Sequence, residues 1–434
     1  MDARSAKALS KDDWVKMAGD ADSIFEGRCF INGEYVDATD GGKIEVINPA
    51  TNEVCGTCAA GTEKDIDKAV AAAKESYKAR TWLKMAPRKR MGIMMKFADL
   101  LQENTAELAL MDSMNMGKPI SDCINVDVPA SAVNIRFMAE CIDKMYGKIA
   151  NTHEKALNLS VREPYGVVGL ISPWNYPLLM GVWKLAPALA AGNSIVLKPD
   201  EHSPHSCIKI AELFVEAGGP PGVFNVVSGH GEEAGKSLAL HPDVSKIGFT
   251  GSTEVGKLLL QYAGQSNMKK VSLETGGKSP MIYFADLPDM ELAISTAYDS
   301  IYANMGEVCN AGSRIYVERG IYADFIDQFI AEGQGAYTPG DPLDPETNMG
   351  PLMSAQAQKR VLGFIESGKN EGATLKFGGN IPTGLDTGCF VEPTMFADVN
   401  NDMTIGREEI FGPVASIIPF DTEEEAVALA NDRI

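Results

Sequence analysis

The sequence predicts an α/β protein with a doubly wound parallel sheet, followed by a second α/β unit. From Val167 to Gly277 short apolar runs alternate with helical stretches, the pattern of a βαβ series. Beyond Gly277 a second series of the same kind begins. The length of 434 residues exceeds what one ordinary core accommodates, which favours two or three packed domains.

Taken in order, Phe30 to Val36 reads as a hairpin with Asn32-Gly33 at its turn. Ile44 to Ala59, broken at Asn48-Pro49 and Asn52-Glu53, reads as further short strands. Apolar residues at i, i+3 and i+4 predict one helix from about Glu63 to Lys78 and another from about Pro87 through Met111. Strands follow at Val167–Ile171, Ser194–Leu197, Phe224–Val227, Lys246–Phe249 and Lys270–Leu273. The helix after Lys198 has Ser203 as candidate N-cap, Pro204 at its first position and Gly218-Gly219 at its stop. The second series has a strand at Arg314–Val317, a helix from Tyr322 to Ala331, strands near Thr374–Phe377 and Ala415–Pro419, and a last helix from Thr422 to about Ala430.

A net charge of −20 argues against nucleic-acid and anionic-membrane partners. No window has the length of a transmembrane helix, and Met1 to Trp14 lacks the apolar segment of a secretory signal. Eight scattered cysteines then point to reduced thiols and a cytoplasmic location. Cys55-Gly56-Thr57-Cys58 lacks a second CxxC or a nearby histidine, so it reads as strand, and the five histidines fall in no metal-ligand spacing. No metal site is expected. Arg88-Lys89-Arg90 reads as a solvated helix face.

The residues singled out on the first series, Asn175, Lys198, Gly229, Ser252 and Glu274, all sit just past strands, where open α/β sheets bind ligands. Cys309, in Asn304-Met305-Gly306-Glu307-Val308-Cys309-Asn310, is a candidate nucleophile, with Gly306 suiting an exposed turn. Glu274, in Glu274-Thr275-Gly276-Gly277-Lys278, is a candidate general base with glycines beside it to give the carboxylate room.

These two motifs, with Pro173-Trp174-Asn175-Tyr176-Pro177 and Phe249-Thr250-Gly251-Ser252 in the same order, resemble the NAD(P)-dependent aldehyde dehydrogenase superfamily. The resemblance implies a Rossmann-like cofactor domain and a second, catalytic α/β domain. Cys309 would attack an aldehyde, a hydride would pass to NAD, and water activated by Glu274 would hydrolyse the thioester. Members that pass the acyl group to coenzyme A lack that glutamate, so a free acid is the expected product. Asn175 would complete an oxyanion hole with the Cys309 N–H. Glu307 stands where the family usually has Gln; a carboxylate facing the thiol would raise its pKa, so Glu307 is expected to point away and be paired elsewhere.

For the cofactor, Lys198 and Glu201 match the family's ribose-binding pair, and the carboxylate disfavours a 2′-phosphate, so NAD is expected over NADP. Gly231 belongs to a Gly-x-Gly-x-x-x-Gly run, and Gly251-Ser252 opens a helix whose N–H groups suit a pyrophosphate. Trp174, Gly276, Glu409 and Phe411 complete the implied cofactor set. Tyr176, Met180 and Trp183 correspond to substrate-tunnel positions; a core stripe at helical spacing is the competing reading. The implied domains are 1–145 with 162–276 for NAD, 146–161 as an interdomain and oligomerisation segment, and 277–434 for catalysis. Relatives continue beyond the position of Ile434, so a missing C-terminal segment is expected, and the homodimer or homotetramer of the complete protein is doubtful for this chain. The alternative reading is a catalytically impaired fragment that keeps nucleotide binding or acts as an interaction protein. The closest impression within the family is the amino-aldehyde branch.

Overall fold

Five apolar runs align side by side as parallel strands in the computed structural model, which describes residues 1–19, 25–333 and 335–432. The order across this sheet is Lys270–Thr275, Lys246–Gly251, Val167–Ile171, Ser194–Lys198 and Phe224–Val226. Burial explains the composition of the middle strands: Val167–Ile171 and Ser194–Lys198 are buried at every position, because helices cover both faces. Lys198 and Glu274 lie within strand ends rather than just past them.

The predicted hairpin exists as Cys29–Ile31 and Glu34–Val36, with Asn32 (φ 56°) and Gly33 (φ 88°) supplying the two left-handed turn residues. Its place was not predicted. Phe30 pairs antiparallel with Val226, so the hairpin extends the parallel sheet to seven strands. A second sheet orders Pro280–Tyr283, Arg314–Glu318, Val414–Phe420 and Thr394–Ala397 in parallel, with Thr374–Phe377 antiparallel at its edge. Lys43–Asn48 pairs with Glu53–Ala59, and Lys148–Ala150 with Asn158–Ser160 in a small exposed ribbon.

Two expectations about helices need correction. The segment from Pro87 to Met111 is two helices, Pro87–Glu103 and Thr105–Met116. Asn104 leaves the helical region (φ −104°, ψ 24°), and its amide donates to the Leu100 carbonyl, a local bond that competes with the backbone ladder. The helix after Lys198 runs from His205 to Glu216, with Pro204 before its first residue. Ser203 does not cap it; its hydroxyl donates to the Trp174 carbonyl at 3.2 Å, which ties this turn to the neighbouring strand end.

Phe214 shows why the first unit holds together. Its ring meets Trp82, Phe97 and Phe224 edge-on, at centroid distances of 5.7, 5.7 and 6.1 Å, joining two helices to the sheet. We expect Phe214→Ala to destabilise the fold by about 3–5 kcal/mol, since transfer and cavity costs add. A lowered urea midpoint checks this; a midpoint within error of wild type would show that the site collapses around the loss.

Candidate functional site

Cys309 becomes accessible because of a turn that the chain adopts under strain. Asn304 (φ 50°), Met305 (φ 58°) and Gly306 (φ 71°) are left-handed in succession. That region costs a non-glycine residue about 1–2 kcal/mol. Packing holds the turn: Met305 is fully buried in the second unit's core. A Cβ at Gly306 would run into the Gly412 carbonyl. Gly306 is therefore a buried close-contact residue, not an exposed one; exposure begins at Cys309.

Asn175 reaches this turn from the strand end of the first sheet. Its side-chain amide donates to the Glu307 carbonyl at 2.8 Å, and the Asn304 amide donates to the Asn175 and Glu307 carbonyls, both at 3.2 Å. The amide expected as an oxyanion donor thus already spends one hydrogen on the cysteine loop, and an amide has a second. Glu307 does point away from the thiol. Its Oε1 accepts the Met353 N–H at 3.0 Å, so its partner is a backbone amide, and no cation lies within ion-pair distance of it among the described residues.

Cys309 opens into a cleft of about 630 Å³ together with Trp174, Gly251, Ser252, Gly276, Glu409 and Phe411. Glu409 Oε1 accepts the Gly277 N–H at 3.1 Å. A Cβ at Gly276 would run into that same carboxylate, so glycine there lets strand end and glutamate approach. Phe411, itself left-handed (φ 54°), meets Trp174 edge-on at 5.4 Å. Ser252 caps the helix Thr253–Gln265 by accepting the Val255 N–H at 3.3 Å, so the first-turn N–H groups face the cleft end.

A second cavity of about 370 Å³ is lined by Lys198, Glu201, His230, Gly231, Val255 and Leu258, among others. Lys198 and Glu201 form an ion pair at 2.8 Å, and His230 Nδ1 lies 3.3 Å from Glu201. Both cavities touch the N-terminal turn of Thr253–Gln265. A polar pair at the rim of an apolar slot, a helix N-terminus between, and a carboxylate beside a glycine cradle fit the ribose, pyrophosphate and second ribose of a dinucleotide.

Glu274 lines neither cavity. It is exposed on the edge strand, opposite Thr250, yet its charge reaches the Cys309 thiol. Burial first, then the Glu409 and Glu274 carboxylates, push that thiol above its ordinary value; its own N–H and that of Asn310 pull the other way. Tyr176 precedes the helix Pro177–Ala190 and sits with its ring centroid 3.4 Å from the Lys118 ammonium, near enough to Cys309 for their charges to interact. Met180 is partly buried, and Trp183 is 55% exposed, so these three do not form a core stripe.

Sequence reasoning missed Lys184, Arg360 and His230. Burial drives the Lys184 ammonium down to about 8, against the opposing charges of Cys207, Glu274 and Cys309. Its signal was available: it lies one turn beyond Met180, whose carbonyl accepts from it at 3.3 Å. Arg360 lies against Phe364, one turn along the helix Ala355–Asn370, and donates to the Glu409 carbonyl at 2.6 Å. Cys55 and Cys58 are buried strand residues, and no cluster of three metal-ligating side chains occurs among the described residues. No helix among them is long and apolar enough to cross a membrane.

Fold and site together define a dinucleotide-dependent oxidoreductase. The aldehyde dehydrogenase family model matches residues 35–434. The NADP/NAD-dependent aldehyde dehydrogenase PuuC of Escherichia coli is 46% identical over 407 residues, spanning 94% of this chain and 81% of the relative. An aminoacetaldehyde dehydrogenase of Pseudomonas aeruginosa is 41% identical, spanning 98% and 84%. A crystal structure of an indole-3-acetaldehyde dehydrogenase with NAD+ superposes with a TM-score of 0.96 at 48% identity, spanning 98% of this chain and 86% of that one. The chain belongs to the aldehyde dehydrogenase family and is an NAD(P)-dependent enzyme that oxidises aldehydes to acids.

Gly276→Ala should displace the Glu409 carboxylate while leaving the fold intact, because the obstructed atoms are the far end of a side chain. If Glu409 holds a cofactor hydroxyl, losing that charged hydrogen bond predicts roughly ten- to a hundredfold weaker NADH binding. Fluorescence titration decides; unchanged affinity would remove Glu409 from the cofactor site.

Proposed function

We propose that Cys309 is the nucleophile and Glu274 the general base of this oxidation, with NAD preferred over NADP. The observation that carries the reading is the exposed Cys309 thiol opening into the same cleft as Glu409, Gly276 and Phe411. Bound dinucleotide supplies the hydride acceptor. Glu409 would hold the ribose nearer the thiol, Phe411 and Trp174 would pack the ring, and Gly251 and Ser252 would face the phosphates. Lys198 and Glu201 would take the other ribose, with Gly231 beside them.

The Cys309 thiolate adds to the aldehyde carbon, and the new oxyanion is met by the Cys309 N–H and the second Asn175 amide hydrogen. Loss of hydride leaves a thioester on Cys309. Glu274, exposed and flanked by Gly276-Gly277, swings toward water and removes its proton for hydrolysis. Lys184 offsets the negative charge gathered around the thiol. Tyr176, Met180 and Trp183 would line the approach of the substrate, and the likeness to an aminoacetaldehyde dehydrogenase supports an amino-aldehyde.

The domain reading follows the sheets: 1–145 with 162–276 for cofactor, 277–434 for catalysis, and 146–161 for association of the complete protein into a homodimer or homotetramer. The exposed Tyr146, Ile149, Leu159 and Val161 support that last role. No disulfide joins cysteines among the described residues, which suits a cytoplasmic setting.

Cys309→Ala should abolish NADH formation from any aldehyde with NAD affinity nearly unchanged, while Glu274→Gln should keep one burst of NADH per site and slow turnover about a hundredfold or more. Rapid-mixing absorbance separates the two. Equal loss of burst and steady rate in Glu274→Gln would place that carboxylate at the thiol instead of the water.

Glu201 carries −1 at the slot where a 2′-phosphate would sit, so Glu201→Ser should narrow the preference for NAD over NADP roughly tenfold or more. Titrating both cofactors against wild type and variant checks this, and equal wild-type affinities would end the argument.

A further inference from the structure

Glu307 precedes Cys309 by two residues and is fully enclosed. It closes the left-handed turn of Asn304, Met305 and Gly306, its own N–H donating to the Asn304 carbonyl at 3.0 Å. Its carbonyl receives the Asn175 and Asn304 amides. Its side chain crosses to the segment before Ala355–Asn370, where Oε1 accepts the Met353 N–H, while buried Oε2 has no hydrogen-bond partner among the described residues. One residue thus joins the thiol's loop to Asn175 through its backbone and to the segment leading into the helix Ala355–Asn370 through its carboxyl.

The groups facing that carboxyl do not neutralise it. Lys118, from the turn after Thr105–Met116, is paired at 2.6 Å with Asp127. Arg360, on Ala355–Asn370, donates to the Glu409 carbonyl. Cys389, from the segment before Thr394–Ala397, is a buried thiol pushed up to about 11, mainly by burial, with the Glu307 charge adding to it. Cys309 is the remaining titratable group of the loop itself. A carboxylate enclosed with one N–H and no cation within ion-pair distance among the described residues is costly, whereas a protonated carboxyl resembles an amide in shape and in setting a donor group beside an acceptor oxygen.

We propose that Glu307 is a positioning residue carried as an uncharged acid, clamping Met353 while its carbonyl holds Asn175, and that its ionisation loosens the Cys309 loop at alkaline pH. Burial raises this carboxyl well above its ordinary value, against weaker opposing pulls from the Met353 N–H, Lys118 and Arg360. The sign follows. The folded state holds the proton between the ordinary glutamate value and the raised one, so the contribution to stability is full below the ordinary value. It is lost as pH rises through the raised value, when the Oε2 proton leaves to solvent hydroxide.

The test compares wild type with Glu307→Gln and Glu307→Ala by iodoacetamide alkylation of Cys309 and by NADH production across pH. The ratio of Glu307→Gln to wild type should be near one at about pH 6 and rise toward about tenfold at about pH 10, because the amide cannot ionise. Glu307→Ala should be slower throughout. A flat ratio overturns the proposal, and so does a Glu307→Gln protein that fails to fold, since an amide of the same shape replaces a neutral acid. A second measurement needs no variant: hydrogen exchange at the Met353 amide of wild type, corrected for its intrinsic pH dependence, should lose protection over the same alkaline range. Protection that stays constant overturns the proposal. The activity arm rests on Cys309 acting as nucleophile; the alkylation and exchange arms do not, so failure of that reading is distinguishable from failure of this one.

Discussion

The hydrogen bond from the Asn175 amide to the Glu307 carbonyl connects two structures that the chain makes separately. Asn175 comes from the end of a strand in the seven-stranded sheet, and Glu307 from the turn that precedes a strand of the other sheet. The Cys309 thiol has no regular element of its own, so its place is set by this bond and by the Asn304 amide that doubles it. A buried amide that lost the carbonyl would be left unsatisfied, which is why a single bond of 2.8 Å can fix the relation.

Backbone strain is concentrated around the same point. Asn304, Met305 and Phe411 are three of the non-glycine residues with positive φ; Phe411 lines the cleft, and Asn304 and Met305 begin the buried turn that leads to Cys309. Each carries a cost that neighbouring packing offsets: Met305 is fully buried, and Phe411 leans on Trp174. Glycine appears where segments approach closely, at Gly276 against the Glu409 carboxylate, which can move aside, and at Gly306 against the Gly412 backbone, which cannot. The cleft is thus precise because the segments around it are overdetermined, not because they are regular.

Electrostatically the site works against its own thiol. Glu409 and Glu274 both favour the protonated sulfur, and burial adds to them. Lys184 is a nearby cation, driven down to about 8 by burial against the opposing charges of Cys207, Glu274 and Cys309. The Cys309 thiol is thus coupled to two carboxylates and to a buried ammonium, and a change in the charge of any of them shifts its ionisation.

Local pattern determined much of this protein from its sequence. The five parallel strands, the Asn32-Gly33 turn and the stop of the last helix depend on period, turn chemistry and caps that a few adjacent residues express. The cysteine, glutamate and asparagine were legible through motif order. What tertiary structure decided is what depends on residues far apart in the chain. The hairpin joins the sheet through Phe30 and Val226, Asn175 meets Glu307, and Glu307 reaches Met353, none of which leaves a periodic trace. Lys184 left a trace in its helical spacing from Met180, whereas Arg360 looks like an ordinary surface cation on a helix, and only the fold shows that it lines the cleft. Glu307 is the clearest case: a charged residue in a one-letter string becomes a buried acid once the chain encloses it, and desolvation, which sets its state, has no existence before the fold.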